Sequence, residues 1–188
     1  LVKFEKNRIE ISFNESLKNI SVKKYFDFNY KYNLPEDPSL TKKNNDGSYS
    51  IVLINGQCEN YKDENIQINN LVSDNYKDYM NNKLIDKNDF FIDLNTIFLN
   101  SGFNLYIKKN KKIKIKITNK ISEENLTVFQ RNYIECDESS TVELFEEFEN
   151  KNQAINNVYN ILKIKKNSKF NHTIIQDNAH EHNLILST

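Results

Sequence analysis

A chain of 188 residues suits one domain with an appendage and is long enough to bury a core of its own. Twenty-six basic residues balance twenty-six acidic ones, so no net field draws in a polyanion or an anionic membrane; nucleic-acid or membrane binding would need a local patch. The two cysteines, Cys58 and Cys136, lack CxxC or CxxH spacing, which argues against a disulfide framework or a cysteine-based zinc site and suits a reducing compartment.

No apolar run is long enough to span a membrane as a helix, and the opening LVKFEKNRIE lacks the apolar stretch of a signal peptide. The expectation is a soluble intracellular protein, in the cytoplasm or, alternatively, in a plastid stroma or apicoplast. The start without Met and the end inside the apolar LILST, residues 184–188, read as the limits of a fragment.

In chain order, the alternation in RIEISF and NISV predicts two short strands before Tyr32. Residues 33–48 hold both prolines, Pro35 and Pro38, and the Asp46-Gly47 turn signal, and read as a linker or long loop. Residues 1–48 are therefore taken as an N-terminal region and 49–188 as the core. YSIVLING, 49–56, predicts a strand closed by an Asn55-Gly56 turn, and IQINNL, 66–71, a second extended piece. Ser73 caps an expected helix over 74–85. A second helix is expected over 89–99, with Asp89 as its cap and Gly102 as its C-terminal glycine.

Beyond that point one unit recurs: strand, polar corner, strand. It appears as LYIKKNKKIKIKI (105–117), NYIECDESSTVELF (132–145) and NILKIKKNSKFNHTII (160–175), with corners at 108–112, 137–140 and 165–169. The period is about 28 to 29 residues, in the range of stacked repeats. A unit this small cannot bury its apolar face alone, so the units should stack as rungs of a parallel β-helix or, failing that, pair as antiparallel hairpins. The intervals 118–126 and 150–157 would supply the crossovers.

Charge follows the same repeat. The first unit carries Lys108, Lys109, Lys111, Lys112, Lys114 and Lys116, the second Glu135, Asp137, Glu138, Glu143, Glu146 and Glu147, and the third Lys163, Lys165, Lys166 and Lys169. Stacked neighbours would then carry opposite charges, and the lysine run reads as a solvated, neutralised face rather than a nucleic-acid or membrane surface.

Candidate chemistry is sparse. Cys136 sits at the second corner and is a possible thiolate ligand or sulfur acceptor, or an ordinary small side chain; Cys58 is a weaker case of the same choice. His172 alternates with Phe170 and Ile174, so it should face inward and need a partner, and Gln176 shares its parity. His180 and His182 would share a face if extended. Glu143, Glu146, Glu147 and Glu149 read as a solvated strand face. The absence of GxxxxGK[ST], GxGxxG, GxSxG and HExxH removes motif support for nucleotide hydrolysis, Rossmann cofactor binding, elbow-type nucleophiles and one class of zinc protease.

FFIDLNTIFLNSGFNLYIKK, 90–109, resembles the SufD-type pattern of the SufB/SufD family, in which a short helix and a glycine turn precede the first β-helix strand. Leu94-Asn95-Thr96 and Phe98 match that pattern, Ile97 replaces its usual Ala, and Lys108 stands where Pro is common. VLINGQ (52–57), TVELFEEF (141–148) and FNHTIIQ (170–176), with His172 and Gln176, look like further family segments in the family's order. The resemblance runs over about residues 50–188, while 1–45 aligns with nothing.

The resemblance implies a mainly β fold: the first rungs of a right-handed parallel β-helix, a single-stranded solenoid, behind a short mixed α/β region with two entry helices. It implies a non-enzymatic scaffold for iron–sulfur cluster assembly, pairing through its β-helix with a SufB-like paralogue. A SufC-like ATPase would bind a C-terminal region outside this stretch. The cluster would be assembled transiently by the full complex, at the interface of the paired scaffolds, with no cofactor bound by these residues. The alternative is an unrelated β-helix that binds or cleaves polysaccharide, disfavoured by the lack of Trp and of clustered Asp; a purely structural solenoid is a third reading.

Overall fold

A computed structural model describes residues 40–71, 90–124, 126–149, 154–177 and 184–187. The chain alternates between two sheets. One holds β1 (Leu40–Lys43), β2 (Tyr49–Ile54), β6 (Lys112–Lys120), β8 (Thr141–Glu149) and β10 (Lys169–Asp177), in that spatial order. The other holds β3 (Tyr61–Lys62), β4 (Ile66–Asn70), β5 (Ser101–Ile107), β7 (Leu126–Cys136), β9 (Ala154–Ile164) and β11 (Leu184–Ser187). The described helix is α1 (Phe90–Phe98). Both sheets are mixed: β1 and β2, β3 and β4, and β4 and β5 pair antiparallel, and the later neighbours pair parallel.

The parallel arrangement excludes the antiparallel-hairpin option for the recurring units. β5 and β6, joined by the first corner, lie in different sheets, and each pairs instead with the strand one unit further on. Lys112 stands beside Thr141, and Thr141 beside Lys169. Corner residues Asn110, Ser139 and Asn167 all adopt positive φ, at 59°, 58° and 61°. Asn tolerates this left-handed conformation because its short side chain bonds locally. The Asn110 amide donates to Glu138 O (3.0 Å), and the Ser139 amide to Lys166 O (3.1 Å), so successive corners are stitched together.

Strict alternation drives the inner packing. Ile113, Ile115 and Ile117 of β6 are buried while Lys112, Lys114 and Lys116 are exposed. The buried isoleucines join Tyr49, Ile51 and Leu53 of β2, Val142 and Leu144 of β8, Phe103, Leu105 and Ile107 of β5, and Ile134 and Cys136 of β7 in one core cluster. The two sheets therefore pack face to face over the corner half of their strands. Fully burying each such aliphatic side chain stabilises by about 1.5–3 kcal/mol.

Outside the core, the expected charge pairs form on the open face. Lys114 meets Glu143 (3.2 Å), Lys116 meets Glu147 (2.7 Å) and Lys120 meets Glu149 (3.0 Å). On the other sheet Lys163 and Lys165 meet Glu135 (3.1 and 3.0 Å), and Lys165 also meets Asp137 (3.0 Å).

Several expectations need correction. Residues 40–43, read as part of a linker, form edge strand β1, where Thr41 turns inward and the flanking residues stay exposed. Gly102 is no helix terminator: it lies inside β5 with φ +134°. A side chain there would overlap the backbone of β7, since a Cβ would sit 1.9 Å from Arg131 O. The crossovers are shorter than expected, because β6 continues to Lys120 and β9 starts at Ala154. The Asn55-Gly56 turn is as expected, with φ of 53° and 76° and paired bonds between Ile54 and Gln57 (3.1 and 3.0 Å). The strands expected before Tyr32, the helix expected over 74–85 and the candidates His180 and His182 lie outside the described residues.

Candidate functional site

Beyond the apolar rows, the inward positions change character. On β6 the residue after Ile117 in the inward row is Asn119; on β8 the one after Leu144 is Glu146; on β7, Gln130 and Asn132 precede Ile134 in theirs. These side chains form a continuous chain of hydrogen bonds. His172 Nε2 lies 3.0 Å from Glu146 Oε2, Asn119 Nδ2 donates to Glu146 Oε1 (3.0 Å), and Gln130 Nε2 donates to Asn119 Oδ1 (3.2 Å) and Asn132 Oδ1 (3.0 Å). Asn132 Nδ2 then donates to Asn160 Oδ1 on the neighbouring strand (2.9 Å).

The network also crosses β7. Gln130 O accepts from Asn95 Nδ2 of α1 (2.9 Å), and Asn95 Oδ1 accepts from Arg131 Nε (3.1 Å). Arg131 points away from the inter-sheet core, beneath α1, where Nη2 donates to Thr96 Oγ1 (2.7 Å) and the guanidinium stacks over Tyr159 at 5.6 Å. Asn157 O and Oδ1 accept from Asn95 Nδ2 as well (3.0 and 3.2 Å). α1 is placed by this clamp and by its apolar side, where Phe98 packs on Phe129 with ring centroids 5.4 Å apart.

Two buried charges thus belong to one network. Glu146 is 1% exposed and Arg131 0% exposed, on opposite sides of the β7 backbone. Buried ions need hydrogen bonds or counter-charges to be tolerated. Glu146 has an amide and an imidazole; Arg131 has neutral acceptors and a ring.

Glu146 therefore departs from the expected solvated face, and only Glu143, Glu147 and Glu149 of that group face the lysines. His172 is half-buried and partnered, as its parity required, and its ring lies edge-on to Phe170 at 6.1 Å. Gln176 is exposed and stands outside the network. Cys136 is fully buried in the apolar core, and burial, reinforced by Glu135, pushes its thiol up to about 11. Cys58 is pushed up to about 12 for the same reason, with Glu59 adding to it. Both shifts run against thiolate formation, the form in which cysteine ligates or attacks. Among the described residues no group of three or more His, Cys, Asp or Glu side chains is placed to hold a metal ion.

At the second corner Asp137 is held well below the usual carboxylate range, to about 2, by the Tyr106 hydroxyl (2.6 Å), the Glu138 amide (2.9 Å) and Lys165. That corner is an electrostatic joint between neighbouring strands, tying Asp137 to Tyr106 of β5 and to Lys165 of the next corner.

Asn95, Asn119, Gln130, Arg131, Asn132 and Asn160 were not legible as a group. The one available signal was Arg131, one of only two arginines in a lysine-based chain, set between Gln130 and Asn132 in a strand otherwise flanked by apolar residues. The sequence matches no protein-family model and no curated protein. No helix among the described residues is long and apolar enough to cross a membrane.

Proposed function

We propose that this chain is a non-enzymatic scaffold subunit of an iron–sulfur cluster assembly complex of the SufB/SufD kind. In this reading its two sheets are the faces of a right-handed parallel β-helix. The observation that carries the proposal is the register repeat. Side-chain bonds join residues 29 apart between β6 and β8, as from Thr118 to Glu147, and 28 apart between β7 and β9, as from Asn132 to Asn160. Of the segments that resemble the family, Leu94-Asn95-Thr96 lies in α1 and Asn55-Gly56 directly after β2, both ahead of the recurring units, and TVELFEEF runs along β8.

A scaffold of this kind supplies surfaces and alignment, while ATP hydrolysis would reside in a SufC-like partner and the cluster would be cargo. A core filled by isoleucine rows and stitched corners suits such a rigid holding role. Neither cysteine is poised for sulfur chemistry, so the reacting thiolate of the assembly step would come from the SufB-like paralogue. The test is co-expression of the full-length protein with SufB-like and SufC-like proteins. Stable copurification of the three supports the proposal, and recovery of the chain alone under conditions where the other two associate contradicts it.

A further inference from the structure

Arg131 is the one buried charge in the network with no counter-charge among the described residues. An arginine at 0% exposure ordinarily faces a carboxylate, since stripping a guanidinium of water is strongly disfavoured unless its charge is balanced. Here Nε and Nη2 are taken by the neutral oxygens of Asn95 and Thr96, and Nη1 is buried without a partner among the described residues. The Tyr159 ring offsets only part of the charge.

What keeps water from this charge is α1. Both side chains that take the arginine's donors, Asn95 and Thr96, stand on that helix. Nine residues are too few for a helix to persist alone in water, so α1 depends on its docking. The docking acts in two opposed senses. Ile92 is buried, Phe98 packs on Phe129, and Asn95 Nδ2 donates to Gln130 O and Asn157 O, all of which hold the helix down. The guanidinium at the centre of the contact favours the lifted state, in which water reaches every one of its donors. The strand beneath carries no such conflict, because β7 is paired with β9 from Leu126 to Cys136 and with β5 from Gln130 to Cys136. We infer that α1 is a releasable strap: it lifts from the sheet as a unit while the strands stay paired, and the missing counter-charge of Arg131 sets how readily it does so.

The experiment is native-state amide hydrogen exchange of the full chain at a series of urea concentrations below the unfolding transition. The amides of Thr96, Ile97 and Phe98 should exchange at least about tenfold faster than those of Ile134 and Cys136 in β7, with a urea dependence well below that of global unfolding. Thr96→Asp sets a carboxylate where Nη2 now meets a hydroxyl, and should slow exchange in α1 about tenfold. Thr96→Asn has the same shape without the charge and should not slow it. Exchange of α1 together with β7, at one rate and with one urea dependence, overturns the inference in the wild-type chain without any substitution. Thr96→Asp that fails to slow α1, or Thr96→Asn that slows it equally, overturns it as well.

Discussion

The interior between the two sheets has two halves that are built on different principles. Toward the corners it is a close-packed set of isoleucine, leucine and valine rows with Cys136 among them. Toward the crossovers the same strands turn polar side chains inward, and Asn119, Gln130, Asn132 and Glu146 interrupt the apolar rows with directed bonds before a smaller apolar cluster of Ile121, Leu126, Val128 and Ala154. The corner half is stabilised by area removed from water, which excludes a slip of one residue but is nearly preserved by a slip of two. The crossover half is stabilised by bonds that form only when the strands are aligned, because a buried polar group without its partner is penalised. One half supplies stability and the other fixes alignment.

Substitutions on β8 separate these roles. Leu144→Ala removes a fully buried side chain from the corner half and should lower the unfolding free energy by about 2–5 kcal/mol in urea titration. Glu146→Ala, two residues on in the same inward row, strands the Asn119 and His172 nitrogens and should cost about 1–3 kcal/mol. If the crossover half governs alignment, Glu146→Ala should also raise amide exchange along β10 more than Leu144→Ala does at matched global stability.

The outer face should matter less. Replacing Lys112, Lys114 and Lys116 together by Glu turns the contacts of Lys114 with Glu143 and of Lys116 with Glu147 into repulsions. At about 0.2–1 kcal/mol for each exposed pair lost, the triple variant should lose about 0.4–2 kcal/mol, with a smaller loss at high salt. Unchanged thermal stability at low salt would count against stacked, alternating charge as a register device.

The smallest effect concerns Asp137. Its carboxyl titrates lower in the folded chain, at about 2, than the ordinary value near 3.9 in an unfolded chain. The sign of the linkage follows: the contribution of this carboxylate is present above pH 4 and is lost as pH falls from about 4 to 2. Asp137→Asn should therefore flatten the stability profile in that window and leave it unchanged in shape above pH 5. Urea midpoints across pH 2–6 check this.

What could be read from the sequence follows the same division. The rows of β5 and β6 were legible because Leu105, Ile107, Ile113, Ile115 and Ile117 alternate with polar residues, and the corners because short polar clusters, Lys- and Asn-rich in the first and third and Asp-Glu-Ser-Ser in the second, stand between the strands. β8 misleads. In Leu144-Phe145-Glu146-Glu147-Phe148 the alternation places Glu146 inside and Phe145 outside, against the hydrophobicity of both, and only the bonds from Asn119 and His172 explain it. β1 was missed because Leu40–Lys43 is short, lies at an edge and buries a threonine. Gly102 follows a helix at a distance that suits a cap, yet what demands glycine there is the close backbone of Arg131, a contact between residues far apart in sequence. The polar network was hidden for the same reason: each member is an unremarkable Asn, Gln or Glu until β6, β7 and β8 are brought together.

The central claim is that strands one unit apart lie side by side, parallel and in register. Cysteines introduced at Lys112 and Thr141, register partners on the exposed face of β6 and β8, test it directly. Parallel neighbours fall within the Cα separation that a disulfide requires, about 4.4–6.8 Å, whereas residue 112 paired with residue 145 is offset by four residues along the strand and falls outside it. Mild oxidation should cross-link 112 to 141 and leave 112 and 145 free. Efficient cross-linking of the offset pair, or failure of the in-register pair in folded protein, would contradict the stack and the proposals that rest on it.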